Sequence, residues 1–195
     1  MKIDINKIKE NLATKNIARN IIYIEEIDST QDEAKRNLDS LSDGTYIVTD
    51  KQTKGKGTHG RVWYDKGYEN ICGSFVLKPG CDISKIDGLT TLIAKCIVKA
   101  LKETYEIDVS IKEPNDIILN SKKLAGILTE SVTSNGIVKS IIVGIGLNVN
   151  QLDFDKEIVD LATSLKKEFG RDFDRELIIS EFFNIFEKEY YKLIE

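Results

Sequence analysis

The chain has 195 residues, 41% of them hydrophobic and 31% charged, with a formal net charge of -4, a balance that supports one buried core without staples and excludes a disordered chain. That slight acidity argues against a broad nucleic-acid footprint, which needs clustered positive charge, so any anion site must be local and no DNA partner is expected. No stretch approaches the roughly 20 apolar residues that span a bilayer, the opening Met1-Lys-Ile-Asp-Ile-Asn6 lacks an apolar signal region, and Cys72, Cys81 and Cys96 show neither CxxC pairing nor disulfide density, which together point to a cytoplasmic protein with no membrane partner.

Along the chain, Ile3, Ile5, Ile8 and Leu12 lie among polar residues and predict a short amphipathic helix within a lead-in of residues 1–20. Ile21–Ile24 reads as a strand. A helix follows, with Thr30 as its N-cap, Glu33 closing a capping box, and an end near Leu41. Thr45–Val48 is a second strand, Lys51–Gly67 a glycine-punctuated loop, and Ile71–Leu77 a third strand. Leu89, Leu92, Ile93, Ile97 and Leu101 recur at helical spacing, predicting a long helix over Ile86–Tyr105. Three β-rich segments come next, around Val109–Ile111, Leu124–Val132 and Ile137–Val149, and the tail from Ile158 to Ile194 reads as helical, split near Gly170. Strands in the middle and helices at the flanks predict an α+β fold, a mixed, mostly antiparallel sheet with helices packed on it, in a single domain over 1–195.

Three segments carry chemistry. In Lys51-Gln-Thr-Lys-Gly-Lys-Gly-Thr-His-Gly-Arg-Val-Trp63, the glycines at 55, 57 and 60 let backbone amides approach a ligand, while Lys54, Lys56, His59 and Arg61 add positive charge suited to phosphate or another anion. The spacing is not that of a P-loop, and a hairpin loop with solvated charges reads equally well from these residues alone. Trp63 is either core or a stacking surface for a planar ring. In Ile111-Lys-Glu-Pro-Asn-Asp-Ile117, Pro114 keeps Glu113 extended and Asn115-Asp116 favour a turn. Lys123 then enters a strand in which Gly126 permits close approach. There it can meet a carboxylate and a phosphate together, or simply face solvent. Gly144-Ile-Gly-Leu-Asn148 places glycines inside an apolar strand, a sign of tight packing or of a nearby ligand.

Taken in order and spacing, Asp28-Ser-Thr30, Gly55-Lys-Gly57 with Gly60-Arg61 and Trp63, Lys112 with Pro114-Asn-Asp116, Lys123-Leu-Ala-Gly-Ile-Leu128 and Gly144-Ile-Gly-Leu-Asn148 resemble the biotin protein ligase family, from about Ile21 to Asn150 and more weakly through the tail. The resemblance implies the class II synthetase-like biotin/lipoate ligase catalytic fold. It also implies a ligase that biotinylates protein in two steps. The biotin carboxylate attacks the α-phosphate of ATP and releases pyrophosphate; the ε-amine of a lysine on a biotin carboxyl carrier domain then attacks biotinyl-5'-AMP. Carried over position by position, Lys123 and Arg61 are the catalytic cations. Biotin is held by Ser29, Thr30, Gln31 and Gln52, by the loop residues Gly55, Lys56, Gly57, Thr58 and His59, and by Lys123 and Gly126. Nucleotide binding falls to Lys56, Thr58, Arg61, Trp63, Lys112, Asn115 and Asn148. Mg²⁺ accompanies ATP, with Asp116 an indirect contributor, and no resident metal site is expected. Relatives often pair through the sheet, so a homodimer is consistent with the resemblance.

Three positions depart from the family pattern. Lys56 and Thr58 stand where arginines are usual, so one charge loses its bidentate fork and the other is lost. Glu113 replaces the tryptophan that usually precedes Pro-Asn-Asp. The chain runs to Glu195, near where the family's small β-barrel would start, and its first 20 residues resemble the lead-in that follows a DNA-binding domain; a catalytic domain without either is the expectation. Two rivals remain: a lipoate-protein ligase, whose arginine-rich double-glycine loop is not seen, and a non-catalytic biotin-binding regulatory module, disfavoured by the retention of Lys112 and Lys123. His59 has no nucleophile to pair with, and the cysteines read as small hydrophobes.

Overall fold

A computed structural model describes all of residues 1–195. Eight strands form one sheet: β1 (Ile21–Ile27), β2 (Tyr46–Gln52), β3 (Ile71–Leu77), β4 (Cys81–Asp82), β5 (Ser110–Lys112), β6 (Asp116–Leu119), β7 (Lys122–Ser134) and β8 (Ile137–Leu147). Their order is β1-β2-β3-β8-β7-β6-β5, with the short β4 added beside β8. Only β1 and β2 run parallel, and every other pairing is antiparallel. The mixed, mostly antiparallel sheet expected from the strand-rich middle is therefore the fold.

Side chains alternate across a strand, so each face of the sheet draws on every second residue. On one face, Phe75, Leu77, Ile141, Val143 and Leu147 are buried against α3 (Leu89–Tyr105) and α5 (Arg175–Ile194), where Phe182, Phe183 and Phe186 pack around Phe75 with centroid spacings of 5.2–6.1 Å. α1 (Ile5–Asn11) inserts Ile8, fully buried, into this same layer and packs along α5. The opposite face keeps only a small apolar cluster of Ile47, Val76 and Ile142 beneath Ala34 of α2 (Thr30–Arg36). Beyond that cluster, the face is lined mainly by glycine and polar residues together with Leu128, and a cleft opens on it.

Several boundaries differ from the sequence expectations. The N-cap of α2 is Ser29, whose Oγ accepts from the Asp32 amide, because the Thr30 hydroxyl is turned inward to Gln52 and Ser74. The helix stops at Arg36, where the Asn37 side chain donates back to the Glu33 carbonyl and ends the run. α3 begins at Leu89 after Gly88, which sits at φ 78°, and Ile83–Ile86 form a separate tight turn. Residues 158–162 are not helical; the tail helix starts at α4 (Leu165–Phe169), which Gly170 closes at φ 69° as the split near that residue implied. The turn expected at Asn115-Asp116 lies over residues 113–115, and Asp116 instead opens β6, a strand the sequence pattern did not reveal. Its four residues are too few for alternation to stand out.

Candidate functional site

The floor of the cleft is the glycine-bearing face of β7 and β8. Gly126, Gly144 and Gly146 share it by the period of two, with Gly126 opposite Gly146 in register. Gly144 and Gly146 each leave room for a neighbour that a Cβ would strike, and Gly126 for a tight approach by Lys123 and Trp63, at 3.1 and 3.2 Å from where a Cβ would lie. A Cβ on Gly146 would come within 2.3 Å of the Trp63 indole, and one on Gly144 within 2.7 Å of the Gln31 side-chain oxygen. The glycines seen in the apolar strand thus exist for close approach from above, while Ile145 between them and Leu147 after them face the helices. The cleft above holds about 620 Å³, counting its open mouth.

Its polar wall is the start of α2. Ser29, Thr30 and Gln31 are all buried, which for three polar side chains requires partners. The Thr30 hydroxyl sits 2.9 Å from the Ser74 hydroxyl and 3.2 Å from the Gln52 side-chain oxygen, which also accepts from the Thr30 amide at 2.9 Å. Ser74 donates to the Gln31 side-chain oxygen at 3.1 Å, and the Gln31 amide donates to Glu130 at 2.7 Å. Burial pushes the Glu130 carboxyl up, but the hydrogen bonds from Lys35 and Gln31 outweigh it and hold the group below its ordinary value, so it is anionic at neutral pH. The result is a continuous donor-acceptor ribbon suited to a compact polar head.

The glycine-punctuated segment is a small hairpin rather than a loose loop. Gly57 donates to the Arg61 carbonyl at 2.8 Å and Trp63 to the Gly55 carbonyl at 2.9 Å, with Lys56 and Val62 bridged between them. A Cβ on Gly55 would lie 2.5 Å from the Trp63 carbonyl, so glycine is what lets the hairpin close. The turn drives His59 to φ 57° at the exposed tip. Arg61 folds back on Thr58, its Nη2 donating to the Thr58 hydroxyl at 2.7 Å, and Lys56 pairs with Asp32 at 2.6 Å. The indole of Trp63 lies across Gly126 and Gly146, and its Nε1–H is buried without an acceptor.

Lys123, on β7, brings the cation. Its Nζ is 2.7 Å from Asp116 Oδ1, an ion pair off hydrogen-bond alignment, and 5.8 Å from the Trp63 ring centroid. A backbone clamp also holds it: its amide donates to the Leu161 carbonyl, and its carbonyl accepts from Thr163. The segment so clamped, residues 151–162, walls a second groove. Trp63, Arg61, Val62 and Lys123 line both hollows, while Phe154, Ile158 and Leu161 border only the second. The two hollows meet at Lys123.

Most residues singled out from the sequence converge here. Ser29, Thr30, Gln31, Gln52, Lys56, Gly57, Thr58, Arg61, Trp63, Asn115, Lys123 and Gly126 line the first hollow. Asn148 borders the second, its amide donating to the Thr163 carbonyl at 3.0 Å. Three are not brought in. Lys112 lies exposed on β5 outside both hollows, because β6 intervenes between β5 and the floor. His59 points from the hairpin tip, and Gly55 serves the hairpin's backbone rather than the lining. Ser74 was missed, although a polar residue within Ile71-Cys-Gly-Ser-Phe-Val-Leu77 is the kind of signal a buried strand offers. Phe154 carried no signal, and Ile158 and Leu161 read as the start of a helix that in the structure begins only at Leu165. Cys72 and Cys96 are buried and Cys81 half-buried, all as free thiols.

Fold and cleft together define a ligand-binding α+β domain whose polar pocket and second groove share one cationic seam. The chain belongs to the biotin/lipoate A/B protein ligase family, whose pattern matches residues 23–148. It is 38% identical over 192 residues to the bifunctional ligase/repressor BirA of Bacillus subtilis, covering 97% of this chain and 59% of that protein. It is 35% identical over 124 residues to the biotin--[acetyl-CoA-carboxylase] ligase of Paracoccus denitrificans, covering 63% of this chain and 51% of that one. The chain thus spans about three fifths or less of these relatives' length. The biotin protein ligase of Aquifex aeolicus in complex with biotin and ATP superposes with a TM-score of 0.77 at 35% identity, covering 90% of this chain and 72% of that one.

Proposed function

We propose that this chain activates biotin with ATP and transfers it to a lysine of a biotin carboxyl carrier domain. The observation that carries the reading is the position of Lys123 at the seam of the two hollows, where one ammonium can serve a carboxylate on one side and a phosphate on the other. The biotin-bound and ATP-bound Aquifex relative supports it.

In the first step a carboxylate oxygen attacks the α-phosphorus of ATP, and the bond to the β,γ-phosphates breaks to release pyrophosphate. Two anions must be brought together for this. Lys123, Arg61 and Lys56 reduce their repulsion, and the Gly57 to Trp63 arm of the hairpin covers the reacting atoms. Thr30, Gln52, Ser74 and Gln31 present the alternating donors and acceptors that a cyclic urea requires. Trp63 forms the partition between the hollows, with Asn148, Phe154 and Leu161 on the nucleotide side. In the second step the neutral ε-amine of the carrier lysine attacks the mixed-anhydride carbonyl and AMP leaves. Mg²⁺ would enter with the nucleotide: no three His, Cys, Asp or Glu side chains converge to hold a resident ion, and Mg²⁺ habitually rests on phosphates and water with one or two carboxylates. Asp116 is the carboxylate of the seam. Its charge would complement an ion that neutralises the phosphates.

No helix is long and apolar enough to cross a membrane. Three free thiols and the need for ATP support a cytoplasmic setting. β7 from Leu128 onward pairs with β8 alone, leaving an open edge that supports a homodimer through the sheet.

The test is incorporation of labelled biotin into a purified carrier domain with Mg-ATP. Transfer should require ATP, and Lys123→Ala should lower it by about 10²–10³-fold, the usual cost of losing one donor aimed at developing charge. Biotin binding without transfer in the unaltered chain would favour a regulatory module, and transfer of lipoate in place of biotin would overturn the assignment.

A further inference from the structure

The hairpin that covers one hollow and the 151–162 segment that walls the other are far apart in sequence, yet a buried polar chain joins their roots. Asp65, at the hairpin's base, accepts from the backbone amides of Gln52 and Gly67, each at 3.0 Å. The Asn70 side-chain amide reaches Asp65 at 3.4 Å and the Gln151 side-chain oxygen at 2.5 Å. On its other side, Asn70 Oδ1 accepts from the Val149 amide at 3.1 Å. Gln151 in turn donates to the Asp153 carbonyl at 2.8 Å, and its own carbonyl accepts from the Ser164 hydroxyl. Asn70 is 2% exposed and Gln151 1%, so neither amide can exchange its partner for water, and breaking the contact strands two buried polar groups. Two contacts repeat the link at the rim: Tyr64 donates to Glu157 and Lys66 pairs with Asp155, both at 2.7 Å. Exposed contacts of that kind contribute little alone, so the buried pair must be the principal joint.

We propose that Asn70 and Gln151 are a positioning pair that makes the two ligand-covering segments move as one body, so that a ligand ordering the hairpin also orders the 151–162 wall. The end of β2 carries the effect into the first hollow: Asp65 holds the Gln52 backbone while the Gln52 side chain holds Thr30. The Lys123 clamp on Leu161 and Thr163 carries it into the second. Neither residue reaches the lining of either hollow; both act through others. Coupling of this kind is a difference in the cost of ordering, which the first ligand meets and the second is spared.

Amide hydrogen exchange on the full chain tests the pair, first without ligand, with the amides of Gly57 and Trp63 reporting the hairpin and those of Ala162 and Thr163 the wall. Gln151→Met keeps the volume and removes the hydrogen bonds. It should accelerate exchange at least fivefold in both segments while the centre of α5 keeps its rate. Acceleration confined to Ala162 and Thr163, or spread equally into α5, would overturn the proposal. If Gln151→Met does not fold, Gln151→Asn, one methylene too short to reach Asn70, carries the same expectation. A second arm rests on the biotin-ligase reading: saturating biotin alone should slow exchange at Ala162 and at Trp63 in the unaltered chain, and at Trp63 only in Gln151→Met. Protection at Ala162 that survives in Gln151→Met counts against the pair. Biotin that protects neither segment in the unaltered chain counts against the ligase reading, and the ligand-free comparison still decides the pair.

Discussion

Lys123 Nζ stands 2.7 Å from Asp116 Oδ1, and that contact fixes Lys123, which with Arg61 is shared by both hollows, to the neighbouring strand. Asp116 has two roles: it holds the ammonium in place, and its charge would favour the Mg²⁺ that accompanies ATP. Asp116→Asn should impair both. With the negative charge gone, the KM for Mg-ATP is expected to rise, while kcat drops by about tenfold, a loss of about 1.4 kcal/mol in the barrier, because the ion pair no longer orients Lys123. Steady-state kinetics of biotin transfer read the split, and a rise in KM with kcat intact would refute the holding role.

Gly146→Ala should disable the cleft without unfolding the sheet. Its Cβ would lie 2.3 Å from Trp63 Cε2, and a rigid indole cannot bend away as a flexible chain would, so the ring must leave the floor. Trp63 is the only tryptophan, and its emission reports its surroundings directly. A red shift of that emission, with biotin affinity reduced at least tenfold and an unchanged far-ultraviolet spectrum, is the expected outcome. An unshifted emission maximum would place the indole elsewhere.

Thr58→Arg tests the loop's departure from the family pattern. Thr58 lines the first hollow and accepts from Arg61 Nη2; an arginine there supplies a second guanidinium, able to engage a phosphate through two parallel hydrogen bonds. The variant should release biotinyl-adenylate about tenfold more slowly, as chased from a preformed complex with unlabelled ligand. If the dissociation rate does not move, Thr58 is no weakness in retention.

Acid should loosen the α2 wall in a defined window. Arg36 grips Asp28 through both oxygens, at 2.8 and 2.9 Å, and the Ser29 amide donates to the same carboxylate. The guanidinium first, then that amide, hold the Asp28 carboxyl well below its ordinary 3.8. A depressed pKa contributes stability that is complete above the unfolded value and is lost as pH falls through the lower folded value. Asp28→Asn should therefore lower the thermal midpoint at pH 6, and its difference from the unaltered chain should shrink steadily below about pH 4. A difference that stays constant from pH 6 to pH 2 would show that the contact stabilises by packing alone.

Much of this molecule is legible in the amino-acid order. The 3.6-residue spacing from Leu89 to Leu101 and the apolar runs at 71–77 and 137–149 reveal the long helix and the central strands because burial on one face imposes a period on the sequence. Glycines at 55, 126, 144 and 146 mark where another group must come close, and the clustered cations of the hairpin are what first suggests an anion site there. Order and spacing of these segments are enough to identify the family, since each is a local backbone requirement written in consecutive residues. Tertiary structure alone decided the rest. It placed Lys112 behind β6 and so outside the cleft, made Ser29 rather than Thr30 the cap because the Thr30 hydroxyl found partners in β2 and β3, and brought Phe154, Ile158 and Leu161, the last two expected in a helix, to the wall of the second groove. It also joined Asn70 to Gln151 across 81 positions. Period and motif record what a residue owes its neighbours in the chain; a hydrogen bond between distant segments leaves no local trace, and exists only once the sheet has folded them together.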